Sequence, residues 1–221
     1  EHGDEEHGDE EHGDEEHGDE EHGDEEHGDE EHDDHGDEHG HGHSGADPQV
    51  WFDVHNVEKW SANVAEVFSE ADPANADAYQ ANLSAYVEEL EALEGEIDSL
   101  LEGLPDENRK LVTNHDALGY FAKEYGFEVV GTVLPSLSTN ADPSAGELAE
   151  LIELMEAEGV CTIFGETTAS TELAETVAGE LGNCEAVQVL TIYTGAIGEG
   201  EDGSYIGMFR SNVQTIVEGL K

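Results

Sequence analysis

Basic residues are what this sequence most lacks. Six lysines and arginines stand against 57 aspartates and glutamates, for a formal net charge of −51 over 221 residues. Nucleic acid is thereby excluded as a partner, because phosphate neutralisation needs clustered Lys and Arg. Long apolar runs are missing as well: no stretch reaches the roughly 18 apolar residues from which a membrane-spanning helix is read. Also absent are a nucleophile–base pairing, a glycine-rich phosphate loop and a His-Glu-x-x-His spacing, so nothing in the chain asks for catalysis and an enzyme is not expected. Cysteine is confined to Cys161 and Cys184.

What is there in abundance is acid and histidine. The pentapeptide EHGDE occurs six times in succession and then degenerates into EHDDHGDEHGHGH, so that residues 1–43 hold 11 of the 13 histidines and 23 of the 57 acidic residues. A period of five suits neither helix nor strand. With no apolar residue before Ala46 there is nothing to bury, and the composition predicts a segment disordered in the absence of ligand. Imidazole and carboxylate both ligate zinc and similar divalent ions, and His35, His39, His41 and His43 fall within one short reach. Dense carboxylates also favour imidazolium, which competes with metal. Binding here is expected to be weak, multi-site and pH-dependent; the alternative is an acidic spacer whose histidines are incidental. The remaining 34 acidic residues still outnumber all six basic ones. Such a lysine-poor surface over an ordinary apolar pattern fits adaptation to high salt, where charge repulsion is screened.

Beyond residue 46 the pattern becomes that of a folded chain. Val57, Trp60, Val64 and Val67/Phe68 recur at helical spacing from about Asn56 up to Asp72-Pro73. Tyr79, Leu83, Tyr86, Leu90, Leu93, Ile97 and Leu100/Leu101 then alternate by four and three, which predicts one helix within 74–104 of about 28 residues and roughly 40 Å. From residue 105 strands alternate with helices: strands at 110–114, 127–134, 161–166 and 186–190, helices at 116–125, 144–158, 170–181 and 205–220. That rhythm predicts an α/β fold with a parallel sheet, whose ligands sit beyond the carboxyl ends of the strands. His115, the 135–142 loop, Glu166 and the 191–203 loop leave those ends.

His115 is the outstanding single residue, placed where a strand ends and a helix begins. A helix amino terminus disfavours imidazolium and so leaves the ring competent for metal; the competing reading is a local cap. Glu166, aimed at the same crevice, would either ligate the ion or orient His115, unless it is a solvated turn carboxylate. Cys161 and Cys184 begin strands at the opposite edge, where they are poor metal partners for His115. They form either a disulfide, which would fit an extracytoplasmic setting, or two buried thiols.

Three stretches together resemble the solute-binding proteins of zinc and manganese ABC transporters. They are DPQVWFD (47–53), the run from NHDALGYFAKEYGFEVVGTV through DPSAGELAELIELMEAEGVCTIFGETTAS (114–170), and YTGAIGEGEDGSYIGMFRSNVQTIVEGL (193–220). The resemblance implies two α/β lobes joined by one long helix, with a metal ion held between them. It also implies a His- and acid-rich insertion just before the Asp-Pro-His segment, where this chain carries its repeat. His115 matches the third family ligand. Gln49 stands where the family has its second, a histidine, and His55 lies six residues on as a substitute. Gly195 aligns with the fourth, an aspartate, and the first would precede residue 1.

The resulting expectation is a carboxyl-terminal α/β lobe (105–221) with flanking helices. A long linking helix (73–104), a remnant of the amino-terminal lobe (47–72) and a metal-collecting leader (1–46) precede it. Glu1 falls in mid-repeat, so an upstream segment is expected as well. The function implied is capture of Zn2+, or Mn2+, outside the cytoplasm by a monomer that hands the ion to the membrane permease of an ABC importer. The rival expectations are a metal buffer or sensor acting only through the repeat, and an adhesin-like interaction protein with a degenerate site.

Overall fold

The computed structural model describes residues 47–134 and 143–221; the leader with His35, His39, His41 and His43, and the 135–142 loop, lie outside them. The first helix, α1 (Val54–Ala71), opens at Asp53, whose carboxylate accepts the His55 N–H at 2.9 Å. That cap satisfies one of the donors a first turn leaves orphaned. A 3-10 turn led by Pro73 reverses the chain into α2 (Ala76–Leu101), 26 residues long. The helix ends short of residue 104 because Glu102-Gly103 turns ahead of Pro105, with the Leu104 N–H donating to the Leu101 carbonyl. The two helices run antiparallel: His55 meets Glu94 near one end, and the Phe68 and Tyr79 rings lie 5.5 Å apart at the other.

Helical spacing in α1 is observed, but a core-facing stripe is not. Val54 and Val57 are buried, whereas Trp60, Val64, Val67 and Phe68 are 45 to 63% exposed. Likewise, α2 buries only Leu90, Leu93, Ile97 and Leu101, all in its second half. The outer halves of both helices extend past the sheet and find only each other, so their apolar stripe stays open.

The sheet comprises β1 (Lys110–Thr113), β2 (Glu128–Thr132), β3 (Thr162–Glu166) and β4 (Gln188–Ile192), all parallel in the order β2-β1-β3-β4. Between them run α3 (Gly119–Tyr125), α4 (Ala145–Glu158) and α5 (Glu172–Glu180), and α6 (Tyr205–Gly219) follows β4. Alternation along the strands sends Leu111 and Phe164 to one face and Val112 and Ile163 to the other. The first face packs on α2, α3 and α6 through Leu93, Phe121, Phe209 and Val213. The second packs on α4 and α5 through Leu151, Met155 and Val177. Three layers result, as a parallel sheet buried on both faces requires.

Punctuation matches the sequence. Ser144 and Glu147 form a reciprocal capping box on α4, and Gly126 and Gly159 close α3 and α4 with φ of 70° and 71°, a left-handed conformation that L side chains resist. Several boundaries differ from expectation, and two of them have a visible cause. The helix expected from residue 116 starts at Gly119, because 115–118 form a turn in which the Thr113 hydroxyl donates to the His115 carbonyl at 2.8 Å. The last strand runs two residues later than its apolar run, since it is registered on β3 from Thr162↔Gln188 to Glu166↔Ile192.

Cys161 and Cys184 are joined by a disulfide at the amino-terminal edge of the sheet, with Cα atoms 5.8 Å apart and a sequence separation of 23. This closes the choice the sequence left open. Closing a loop of that length in the unfolded chain is worth roughly 3 kcal/mol. The double variant Cys161→Ser/Cys184→Ser is therefore expected to unfold at a clearly lower urea concentration than the oxidised chain, with an unchanged native circular dichroism spectrum.

Candidate metal centre

In the order β2-β1-β3-β4 the chain leaves β1 for β2 on one side and then crosses to β3 on the other. The crevice between the carboxyl ends of β1 and β3 is therefore the topological switch point of the sheet, the position where α/β folds take their ligands. Two chain segments supply side chains there. His115 follows β1 by two residues and Glu166 is the last residue of β3. Backbone pairing continues past both strand ends, with the Asn114 N–H donating to the Phe164 carbonyl at 3.0 Å and the Leu134 N–H to the Asn114 carbonyl at 2.8 Å. The lip that carries His115 is thereby held by its neighbours on both sides.

His115 and Glu166 are 5% and 3% exposed. Glu166 Oε1 accepts the His115 backbone N–H at 3.1 Å and also contacts its ring Nδ1. Glu166 Oε2 accepts the Thr194 hydroxyl at 2.8 Å. A carboxylate oxygen can only accept, so Nδ1 carries the proton that points at it. In the neutral ring the lone pair then resides on Nε2. This is the arrangement by which outer-shell carboxylates orient metal-binding histidines.

The Asp-Pro-Gln segment reaches the same turn. Asp47 Oδ1 accepts the Gln49 N–H at 2.8 Å, and its Oδ2 lies 2.9 Å from where a Cβ on Gly119 would stand. Burial pushes the Asp47 carboxyl above the ordinary aspartate range; the Gln49 N–H pulls it back, Asp116 pushes it up and His115 pulls it down. Two buried amides nearby in sequence are unsatisfied among the described residues: Gln49 through Oε1 and Asn114, 1% exposed, through both side-chain atoms. Each such atom costs on the order of 1–3 kcal/mol, and groups of this kind mark places where a partner is missing.

The other sequence candidates lie apart from this pair. His55 is on the surface of α1, its Nδ1 2.7 Å from Glu94 Oε1 on α2 and 3.8 Å from Asp53. Gly195 follows Thr194 directly, and a Cβ there would make ordinary van der Waals contact with Thr168, 3.5 Å from its Oγ1. Among the described residues, no three His, Cys, Asp or Glu side chains converge on one ion-sized position. The residues present thus form one oriented imidazole with its carboxylate, flanked by unsatisfied amides. Sequence reasoning missed Thr194, Asn114 and Asp47, of which Asn114 had a signal in its place beside His115.

The chain matches the family of zinc-uptake complex component A, periplasmic (ZnuA), over residues 5–219. It is 36% identical over 184 residues to the manganese-binding lipoprotein MntA of Bacillus subtilis, which covers 79% of this chain and 58% of that protein. It is 37% identical over 134 residues to the high-affinity zinc uptake system protein ZnuA of Paracoccus denitrificans, covering 61% of this chain and 40% of that protein. The periplasmic zinc-binding protein TroA of Treponema pallidum superposes with a TM-score of 0.72 at 31% identity, over 79% of this chain and 64% of its own. The chain spans less than two thirds of each of these relatives. The family match and the shared fold show that it belongs to the ZnuA family of metal-uptake components.

Proposed function

We propose that this chain is the metal-holding part of an extracytoplasmic solute-binding protein. It captures a divalent ion, zinc or manganese, and delivers it to the membrane permease of an ABC importer without chemical conversion. One observation carries the reading: a buried imidazole at the sheet's switch point, its Nδ1 held by Glu166 so that the lone pair is left on Nε2. In this reading His115 ligates the ion through Nε2 and Glu166 orients it. Gln49 contributes an amide oxygen, a harder donor than imidazole and a poorer one for zinc. His55, engaged with Glu94, has no part in the site. The histidines of the leader, including His35, His39, His41 and His43, act as a weak collector of the ion.

The setting is supported from two sides. The Cys161–Cys184 disulfide suits an oxidising compartment, and the relatives named above include a lipoprotein and a periplasmic protein. No helix among the described residues is long and apolar enough to cross a membrane. The exposed stripe of Trp60, Val64, Val67 and Phe68 supports assigning residues 47–72 to a remnant of the amino-terminal lobe, with 73–104 as the linking helix and 105–221 as the carboxyl-terminal lobe.

Deleting residues 1–43 and titrating with Zn2+ and Mn2+ by calorimetry tests the proposal. The weak, multi-site phase is expected to vanish while one tighter site per chain remains. Loss of all binding would instead leave the repeat as the sole binding device.

A further inference from the structure

Beyond the pair itself, the buried polar groups behind Glu166 form a continuous chain with a purpose of its own. β4 is an edge strand, so beyond its last residue the outward-facing backbone groups have no strand to pair with. Ile192 sends its carbonyl inward to the Thr167 N–H. Tyr193, the next residue, presents both its N–H and its carbonyl outward. Both are taken by one side chain, Asn212 of α6: Oδ1 accepts the Tyr193 N–H at 2.8 Å and Nδ2 donates to the Tyr193 carbonyl at 2.7 Å. The amide thus stands in for a neighbouring strand. Thr194 is the next residue along, and its hydroxyl reaches Glu166 Oε2 at 2.8 Å. Asn212 and Thr194 are each 4% exposed, so water does not compete for these bonds.

We infer that Thr194 and Asn212 are positioning residues for His115, acting in series through Glu166. The inference rests on the reading of His115 as the ion's ligand. Glu166 has two oxygens; His115 occupies one and Thr194 the other. Without the Thr194 hydroxyl, Oε2 is a buried acceptor with no donor among the described residues, and the carboxylate is free to rotate off the Nδ1–H. The ring then loses its fixed tautomer, and Nε2 no longer presents its lone pair in one direction. Asn212 acts one step further back: it sets the backbone of Tyr193, which sets where Thr194 points. The orientation of the ligand is in this way tied to the seating of α6 against the end of β4, at the root of the segment that contains Gly195.

The test uses the full chain with four variants: Thr194→Val, which keeps the shape, Thr194→Ser, which keeps the hydroxyl, Asn212→Ala and His115→Ala. Zn2+ affinity is read by competition with a chelator strong enough to strip the leader. The His115 tautomer is read from long-range 1H–15N imidazole spectra, assigned by difference from His115→Ala. Thr194→Val is expected to weaken zinc binding by about tenfold, the lower end for loss of such supporting partners, and to turn a single Nδ1–H tautomer into a mixture. Thr194→Ser is expected to stay within about twofold and keep the single tautomer, as rescue of the same hydrogen bond requires. Asn212→Ala should reproduce the loss, yet add little in a Thr194→Val background, as residues acting in series do. Should Thr194→Val bind as the parent does, or lose affinity with the His115 spectrum unchanged, the positioning role is overturned. Should His115→Ala itself bind normally, the functional reading fails instead, so the two failures are distinct.

Discussion

His115→Ala is expected to remove the tight divalent-ion site, with at least a hundredfold loss of affinity, equivalent to about 2.7 kcal/mol. The size follows from the site's composition. Among the described residues no second imidazole joins His115, and the flanking donors on this chain are amides and carboxylates. The imidazole is thus the one strong ligand zinc finds there. Substitution also has a cost in the apo chain. Glu166, 3% exposed, loses the Nδ1–H donor and keeps only the His115 backbone N–H and the Thr194 hydroxyl. A thermal melt without metal is therefore expected to fall as well, and Glu166→Gln serves as the control. Its amide oxygen still accepts from His115 and its NH2 can donate to Thr194 Oγ1, so it should fold normally and lose less affinity. Chelator-competition titrations of parent and variants, beside melts with and without Zn2+, read both effects. Weak binding by the leader should survive His115→Ala unchanged. Undiminished tight binding in that variant would end the assignment of His115.

Much of the fold is legible in the sequence, because each apolar run after residue 105 is bounded by a residue with a fixed local consequence: Pro105, Gly126, Ser144, Gly159. His115 and Glu166 are legible as strand-end residues for the same reason. Their contact is not, since it depends on β1 lying next to β3, and strand order is set by long-range packing that no local period encodes. The exposure of the α1 stripe is illegible for a related reason. Helical spacing shows that Trp60, Val64 and Val67 share a face, but not whether anything in this chain covers it. His55 reads as a spare ligand by proximity in sequence, yet one step along a helix from the buried Val54 it emerges on the surface beside Glu94. Asn212 did carry a signal. It stands on the apolar stripe of Met208, Phe209, Val213 and Ile216, and an amide there must find a specific partner.

Gly195→Asp combined with Gln49→His is expected to raise zinc affinity by about a hundredfold, the largest gain open to this site. Both positions accept the change. Gly195 does not adopt a left-handed backbone, and a Cβ on it meets nothing nearer than Thr168 at 3.5 Å. Gln49 already places a buried oxygen, Oε1, without a partner among the described residues, where an imidazole nitrogen would be the softer donor. The family resemblance implies aspartate and histidine at these two points, so the variant restores two of the implied ligands beside His115. Gly195→Asp alone should contribute about tenfold, chiefly through charge, since an added carboxylate neutralises the bound cation. Without metal the same carboxylate joins Asp47 and Glu166 in a site of low dielectric, and the apo chain should melt at a lower temperature for that reason. Saturating Zn2+ should reverse the deficit, because a ligand bound only by the folded state stabilises it in proportion to its affinity. Gln49→His should act differently. Exchanging a hard oxygen for an imidazole favours zinc over manganese, so the ratio of the two affinities, measured in one competition series, should shift towards zinc with Gln49→His and hardly at all with Gly195→Asp. A double variant no tighter than the parent would mean that Gly195 and Gln49 do not face the ion held by His115.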